Sequence, residues 1–118
     1  MTQPVEYSCY VPIRAAIQVI GGKWSYFVIA QLCKGPLRFN QLRRNLDGVS
    51  IKSLTDALRH LENCGIIHRQ VFPTVPVTVE YSLTESGREY GDILLQMRQW
   101  GEKWKAMPLV EESESSTS

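Results

Sequence analysis

The sequence predicts a mostly α-helical domain with one small β-hairpin, an α+β fold class that follows from three observations. Residues 39–64 contain two short helical patterns separated by a tight turn. After Gly65 the apolar residues change from helical spacing to the alternation that is typical of strands. A long helical pattern then begins at residue 85. The 118 residues suffice for one domain with its own core.

The stretch 39–64 predicts a helix-turn-helix. Residues 39–46 form the first helical pattern, and Asp47-Gly48-Val49 favours a turn. Ser50 is predicted to cap the second helix, because its hydroxyl can accept a backbone N–H from the first turn. The apolar face of that helix carries Leu54, Ala57, Leu58, Leu61 and Cys64. The opposite, polar face carries Lys52, Ser53, Thr55, Asp56, Arg59, His60 and Asn63. Two ordinary amphipathic helices of a bundle would give the same pattern.

The segment after Gly65 predicts a β-hairpin. Residues 67–72 and 77–83 alternate and are rich in β-branched and aromatic side chains, and residues 73–76 lie between them as the tip. A two-stranded hairpin is weak alone, so it must pack on the helices. A hairpin directly after a helix-turn-helix is a wing, and the fold expected is therefore a winged helix-turn-helix.

The segment before residue 39 predicts an arm over residues 1–11, two helices and a short extended piece. Pro12 suits a first helical turn, so the first helix is expected to start there. Its apolar residues are Ile13, Ala16, Ile17 and Ile20. Residues 24–33 are apolar nearly all round, which is typical of a central helix. Residues 37–39 are expected to be extended.

The last helical pattern predicts a surface for a second copy of the chain. Thr84 is expected to cap a helix over residues 85–105. Its apolar side chains exceed what a small winged helix covers, and excess apolar surface usually meets a partner. We expect a homodimer through the first and last helices, although both could fold back on their own domain. The predicted interface residues are Ile13, Ile17, Ile93, Met97, Trp100 and Trp104. The domain is expected to span residues 12–106, followed by a disordered tail over residues 107–118.

Charge and composition narrow the class of protein. Residues 14–52 contain seven basic residues and one acidic residue, whereas residues 80–118 contain eight acidic and four basic residues. The basic segment suits contact with phosphates. No run has the length of a membrane span, and no secretory signal precedes the domain, so we expect a cytoplasmic protein without membrane contact. Three widely spaced cysteines predict neither a disulfide framework nor a zinc site, and no cofactor is expected.

Four motifs of the chain identify a family resemblance, namely IGGKW at residues 20–24, GPLRFNQLRR at 35–44, the run from Ser50 to Gly65, and VEYSLTESG at 79–87. With these motifs the chain resembles the HxlR family of bacterial winged helix-turn-helix transcriptional regulators. The resemblance implies a homodimer with a recognition helix in the major groove of DNA. It also implies, for some members, a thiol sensor at a Cys directly before the Pro of the first helix. Here Val11 holds that position, Cys9 lies three residues before Pro12, and the wing tip has no basic residue.

The candidate DNA contacts lie in the predicted helix-turn-helix. The candidates for phosphate contacts are Arg38, Arg43, Arg44 and Lys52. The candidates for contacts with base edges are Ser53, Thr55, Asp56 and Arg59. The predicted DNA-binding set is Arg38, Arg43, Arg44, Ser50, Lys52, Ser53, Thr55 and Arg59. His60 and His68 are expected to be surface or packing residues, because neither has further metal ligands at useful spacing.

The three cysteines differ in expected role. Cys33 is predicted to be an inert core thiol, and Cys64 is expected to pack inward. Cys9 is the candidate redox sensor, mainly on the resemblance, with an oxidant or a small molecule as inducer. The expected function is a sequence-specific regulator that binds a palindromic operator in double-stranded DNA. A winged helix used only for protein–protein contact is the alternative. An enzyme is not expected, since Cys9 has no recognisable catalytic base.

Overall fold

The winged helix-turn-helix fold predicted from the sequence is confirmed. The computed structural model describes the backbone of residues 3–105 and the side chains of residues 11–105. Within that part of the chain, the elements in order are α1 (Gln3–Val19), α2 (Ser25–Leu32), β1 (Leu37–Arg38), α3 (Phe39–Asn45), α4 (Ile51–Asn63), β2 (Ile67–Phe72), β3 (Thr78–Leu83) and α5 (Glu85–Lys103). The helix-turn-helix is α3 and α4, and the wing is β2 and β3.

The start of α1 differs from the prediction. The helix begins at Gln3 and contains Pro12, so the expected start at Pro12 is wrong, and residues 3–11 are helical instead of forming an irregular arm. Proline is favoured in a first helical turn because it lacks a backbone N–H, but a longer helix tolerates one proline by losing one hydrogen bond and bending. The predicted tail, residues 107–118, lies outside the described residues, and the domain limits 12–106 stay a prediction.

The sheet has three antiparallel strands in the order β1-β3-β2. Ile67 pairs with Leu83 and Phe72 with Thr78, so β2 and β3 form the predicted hairpin. The expected extended piece at residues 37–39 is confirmed at Leu37–Arg38, and it also pairs with β3, which was not predicted. Because α3 follows β1 directly, this third strand joins the wing to the start of the helix-turn-helix.

The core is built around α2 and α4. Val28, Ile29 and Leu32 of α2 are buried, as the sequence predicts for a central helix. The buried hydroxyl of Ser25 donates to the carbonyl oxygen of Gly21 at 2.8 Å, which holds the turn between α1 and α2. Phe27 remains exposed, so α2 is covered on most of its circumference but not on all of it.

The turn from α4 into β2 is tied to the start of α5. Gly65 has a φ of 76°, a left-handed conformation that glycine adopts without strain, and it directs Ile66 into the core. Thr84 caps α5 as predicted, since its hydroxyl accepts the backbone N–H of Gly87 at 3.0 Å. The same hydroxyl donates to the carbonyl oxygen of Gly65 at 2.6 Å. A side chain at Gly87 would overlap the carbonyl oxygen of Ile66, so α5 approaches this turn closely.

Two rows of apolar side chains on α1 and α5 remain exposed. They comprise all six residues predicted to form the dimer interface, namely Ile13, Ile17, Ile93, Met97, Trp100 and Trp104. Tyr90 and Leu94 of α5 instead pack in the core. None of the helices in the described part of the chain is long and apolar enough to cross a membrane.

Candidate nucleic-acid interface

The start of α4 is held by a local hydrogen-bond network. The hydroxyl of Ser50 accepts the backbone N–H of Ser53 at 3.0 Å, which confirms the predicted cap. That hydroxyl also lies 3.0 Å from the hydroxyl of Ser53. Val49 and Leu54, on either side of the cap, are both buried, which is the arrangement of a hydrophobic staple. Both ends of this first turn are therefore fixed before any DNA is bound.

The buried side of α4 determines which of its residues face outward. Leu54, Leu58 and Leu61 are buried against the rest of the domain. Because successive residues of a helix are about 100° apart, Lys52 and Arg59 lie on the opposite, exposed side. The buried leucines thus fix the rotation of α4 about its axis.

Ser53 and Thr55 lie at the two edges of the exposed side and are both half-buried. Ser53 lines a shallow cavity of about 360 Å³ together with residues 21–25, Asp56 and His60. The edge of α4 that carries Ser53 therefore faces the turn between α1 and α2. Among the predicted base-reading residues, Asp56 and Arg59 are exposed, whereas Ser53 and Thr55 reach the surface only in part.

Lys52 and Asp56 form an ion pair along α4. The Nζ of Lys52 lies 2.9 Å from an Oδ2 of Asp56, and both side chains are largely exposed. Such an i,i+4 pair stabilises a helix by only about 0.3–0.5 kcal/mol. Its main effect is to offset the positive charge of Lys52, the lysine that was predicted to contact phosphate, with a neighbouring carboxylate. A carboxylate can accept a hydrogen bond from the amino group of cytosine.

The predicted arginines lie on and beside α3 and are exposed. Arg43 and Arg44 occupy its last turn, where cations are favoured by the helix dipole, and they border a surface depression together with Asn40. Arg38 directly precedes α3, and its backbone N–H donates to the Oε1 of Gln41 at 2.8 Å. Basic side chains therefore stand at both ends of the first helix of the motif.

His60 has a contact that the sequence did not predict. Its Nε2 lies 2.9 Å from the carbonyl oxygen of Gln18 and 3.2 Å from that of Val19. Since carbonyl oxygens only accept hydrogen bonds, Nε2 is the donor in these contacts. The partners are 41 and 42 residues away in the chain, so no local signal could have revealed them.

Cys33 and Cys64 are both exposed, so the prediction that they lie in the core is wrong. Cys33 follows the last residue of α2 and leaves the buried face of that helix. Partial burial, and then Asp92, raise the pKa of the Cys33 thiol, which lowers its thiolate fraction. Cys64 follows the last residue of α4, where the chain reverses and Ile66 enters the core in its place. The side chain of Cys9 lies outside the described residues.

The fold and the exposed polar face of α4 define a DNA-binding protein of the winged helix-turn-helix class. The family described as HxlR-like helix-turn-helix matches residues 19–108, and the chain belongs to this family. It is 44% identical over 94 residues to YdeP, an uncharacterised HTH-type transcriptional regulator of Bacillus subtilis strain 168. That alignment covers 80% of this chain and 73% of YdeP.

Solved structures show the same likeness. The oxidised form of the redox regulator HypR superposes with a TM-score of 0.71 at 46% identity and covers 78% of this chain and 95% of HypR. The reduced form of the transcriptional regulator YodB from Bacillus subtilis gives a TM-score of 0.73 at 32% identity and covers 79% of this chain and 91% of YodB. The protein is therefore a transcriptional regulator of the helix-turn-helix type, and its relatives are regulators and not enzymes.

Proposed function

We propose that the protein binds a palindromic operator as a homodimer, with α4 of each protomer in the major groove. The observation that carries this proposal is the exposed side of α4, on which Lys52 and Arg59 lie opposite the buried leucines. Arg59 reads a base, since a guanidinium can donate two hydrogen bonds to guanine O6 and N7. Arg38, Arg43 and Arg44 neutralise phosphates on either side of the groove.

A homodimer accounts for the apolar rows on α1 and α5. A twofold dimer presents the same surface from both protomers, and its two recognition helices match the two halves of a palindrome. Trp100 and Trp104, with 62% and 50% of their surface exposed, would be covered by the partner. Exposed apolar patches of this kind are typical of interaction sites.

The experiment compares Arg59→Ala with Arg43→Ala on an operator selected from random DNA and on unrelated DNA. Arg59→Ala should weaken operator binding by about 1–3 kcal/mol and relax the preference for one base pair. Arg43→Ala should weaken binding to all sequences and reduce the slope of log affinity against log salt by about 1. Lys34→Ala is the matched control, because Lys34 is exposed but lies outside α3 and α4.

Unchanged operator affinity in both arginine variants would refute the assignment of the interface. DNA affinity that is weak and independent of salt in the wild type would refute DNA recognition altogether. That second result would leave the protein–protein module as the function of this winged helix.

We further propose that Cys9 makes operator binding sensitive to oxidants or electrophiles. The likeness to the redox regulator HypR supports a thiol response. The raised pKa of Cys33 lowers the thiolate fraction of that residue, which makes it less reactive towards oxidants and electrophiles. Diamide should change operator affinity in the wild type, in Cys33→Ser and in Cys64→Ser, but not in Cys9→Ser. A gel shift on each variant measures this, and reversal by dithiothreitol identifies a disulfide. A response that persists in Cys9→Ser would place the sensing thiol elsewhere.

A further inference from the structure

The carbonyl end of α1 is bound by side chains from two other helices. His60 of α4 donates from Nε2 to the carbonyl oxygens of Gln18 and Val19, at 2.9 and 3.2 Å. The hydroxyl of Tyr90 in α5 donates to the carbonyl oxygen of Ala16 at 2.5 Å. The last carbonyl groups of a helix lack partners within the helix, so they are the natural acceptors for such donors. We call His60 and Tyr90 with these three carbonyl groups the α1 clasp.

Over residues 11–18, side-chain burial contributes little to the position of α1 on its own domain. Among residues 11–19 of α1, Val19 is buried, whereas residues 11–18 are exposed. The end of α1 is also held by the turn that follows it, in which the backbone N–H of Gly21 donates to the carbonyl oxygen of Gln18 at 3.0 Å. The clasp therefore links the end of α1 directly to α4 and α5.

We propose that His60 is a positioning residue that sets the distance between operator half-sites which the dimer accepts. The proposal rests on the function proposed above, in which α1 belongs to the dimer interface and α4 to the DNA interface. His60 is the residue on α4 that binds the backbone of α1. It thus connects the surface that fixes the dimer axis with the helix that enters the groove, without itself touching a base.

The geometry of DNA makes this connection measurable. Inserting one base pair between half-sites separates them by roughly 3.4 Å and rotates one against the other by about 35°. A rigid connection between α1 and α4 makes the dimer discriminate against such insertions. A loosened connection lets each recognition helix follow its own half-site, so the discrimination falls while the preference for the half-site sequence remains.

The experiment measures the affinity of the full-length protein for its selected operator and for operators with one base pair inserted or deleted at the centre. His60→Leu removes the donor at similar size, and His60→Gln keeps an N–H donor at a similar distance from the backbone. Tyr90→Phe removes the second donor of the clasp without removing the ring from the core. His68→Leu is the matched control, because His68 is exposed on β2 and is not part of the clasp. Thermal unfolding and sedimentation verify that each variant folds and dimerises.

His60→Leu should reduce the ratio of affinities between the natural and altered spacings by about fivefold to tenfold, the scale of one lost hydrogen bond. Tyr90→Phe should reduce the ratio in the same direction, and His60→Gln and His68→Leu should retain it. If the wild type discriminates between spacings and the ratio of affinities is unchanged in both His60→Leu and Tyr90→Phe, the proposed role of the clasp is wrong. The proposed function is not affected by that result. Absence of operator binding in the wild type overturns the proposed function itself.

Discussion

Replacing Trp100 with alanine should convert the proposed dimer into a monomer at micromolar concentration without unfolding the protein. Trp100 lies on the exposed row of α5, beyond Tyr90 and Leu94, which pack in the core. Its side chain contributes little to the stability of the isolated protomer. Nearly all the effect of the substitution should therefore appear in the association of two protomers.

The magnitude follows from the exposed area of Trp100. A tryptophan offers roughly 200 Å² of surface, and at 62% exposure about 120 Å² of it is available to a partner. At about 25 cal/mol per Å², covering this area contributes about 3 kcal/mol, of which an alanine methyl recovers about 0.8 kcal/mol. The loss is about 2 kcal/mol per protomer and about 4 kcal/mol for the symmetric pair, so the dissociation constant should rise by about 1,000-fold.

Sedimentation equilibrium between nanomolar and 100-micromolar protein measures this constant directly. Val77→Ala is the matched control, since Val77 is equally exposed, at 64%, but lies beside the wing. Thermal unfolding of both variants should resemble that of the wild type once dimerisation is allowed for. A Trp100→Ala protein that dimerises as tightly as Val77→Ala would refute the assignment of the interface to this row.

Four substitutions, in two pairs, test how the fold is held together, each by thermal or urea unfolding. Gly87→Ala should destabilise the protein by about 2 kcal/mol or more, because its methyl group would overlap the carbonyl oxygen of Ile66. Gly101→Ala in the same helix should stabilise the fold by about 0.5–1 kcal/mol, because no tertiary neighbour among the described residues lies within 4 Å of the added methyl group; a loss of stability there would contradict this account. Ser50→Ala should cost about 1 kcal/mol through the lost cap of α4, whereas Ser86→Ala, exposed in the first turn of α5, should cost much less.

Local signals in the sequence were sufficient to predict the helix-turn-helix and the wing. The Ser50 cap, the buried leucines of α4 and the alternation in the two strands each depend on residues within a few positions of one another. Such short-range patterns reflect propensity and burial directly. The same kind of pattern predicted that Trp100 of α5 and Trp104, directly after it, are exposed.

The features that were missed or wrong depend on contacts that are distant in sequence or on the ends of helices. His60 binds carbonyl groups more than 40 residues away, and β1 pairs with a strand that lies more than 40 residues later. Cys33 and Cys64 fit an apolar helical face, but each follows the last residue of its helix, where the chain turns away from the core. Periodicity cannot show the residue at which a buried face ends.

The ion pair between Lys52 and Asp56 has a consequence for the rate at which the protein finds its target. Attraction between cations and phosphates supplies most of the affinity of such proteins for random DNA. With an intramolecular counterion at 2.9 Å from Lys52, and a formal net charge of only +1 on the chain, that attraction is restrained. We therefore expect fast release from non-specific sites on a chromosome, so that a larger share of the molecules is free to search.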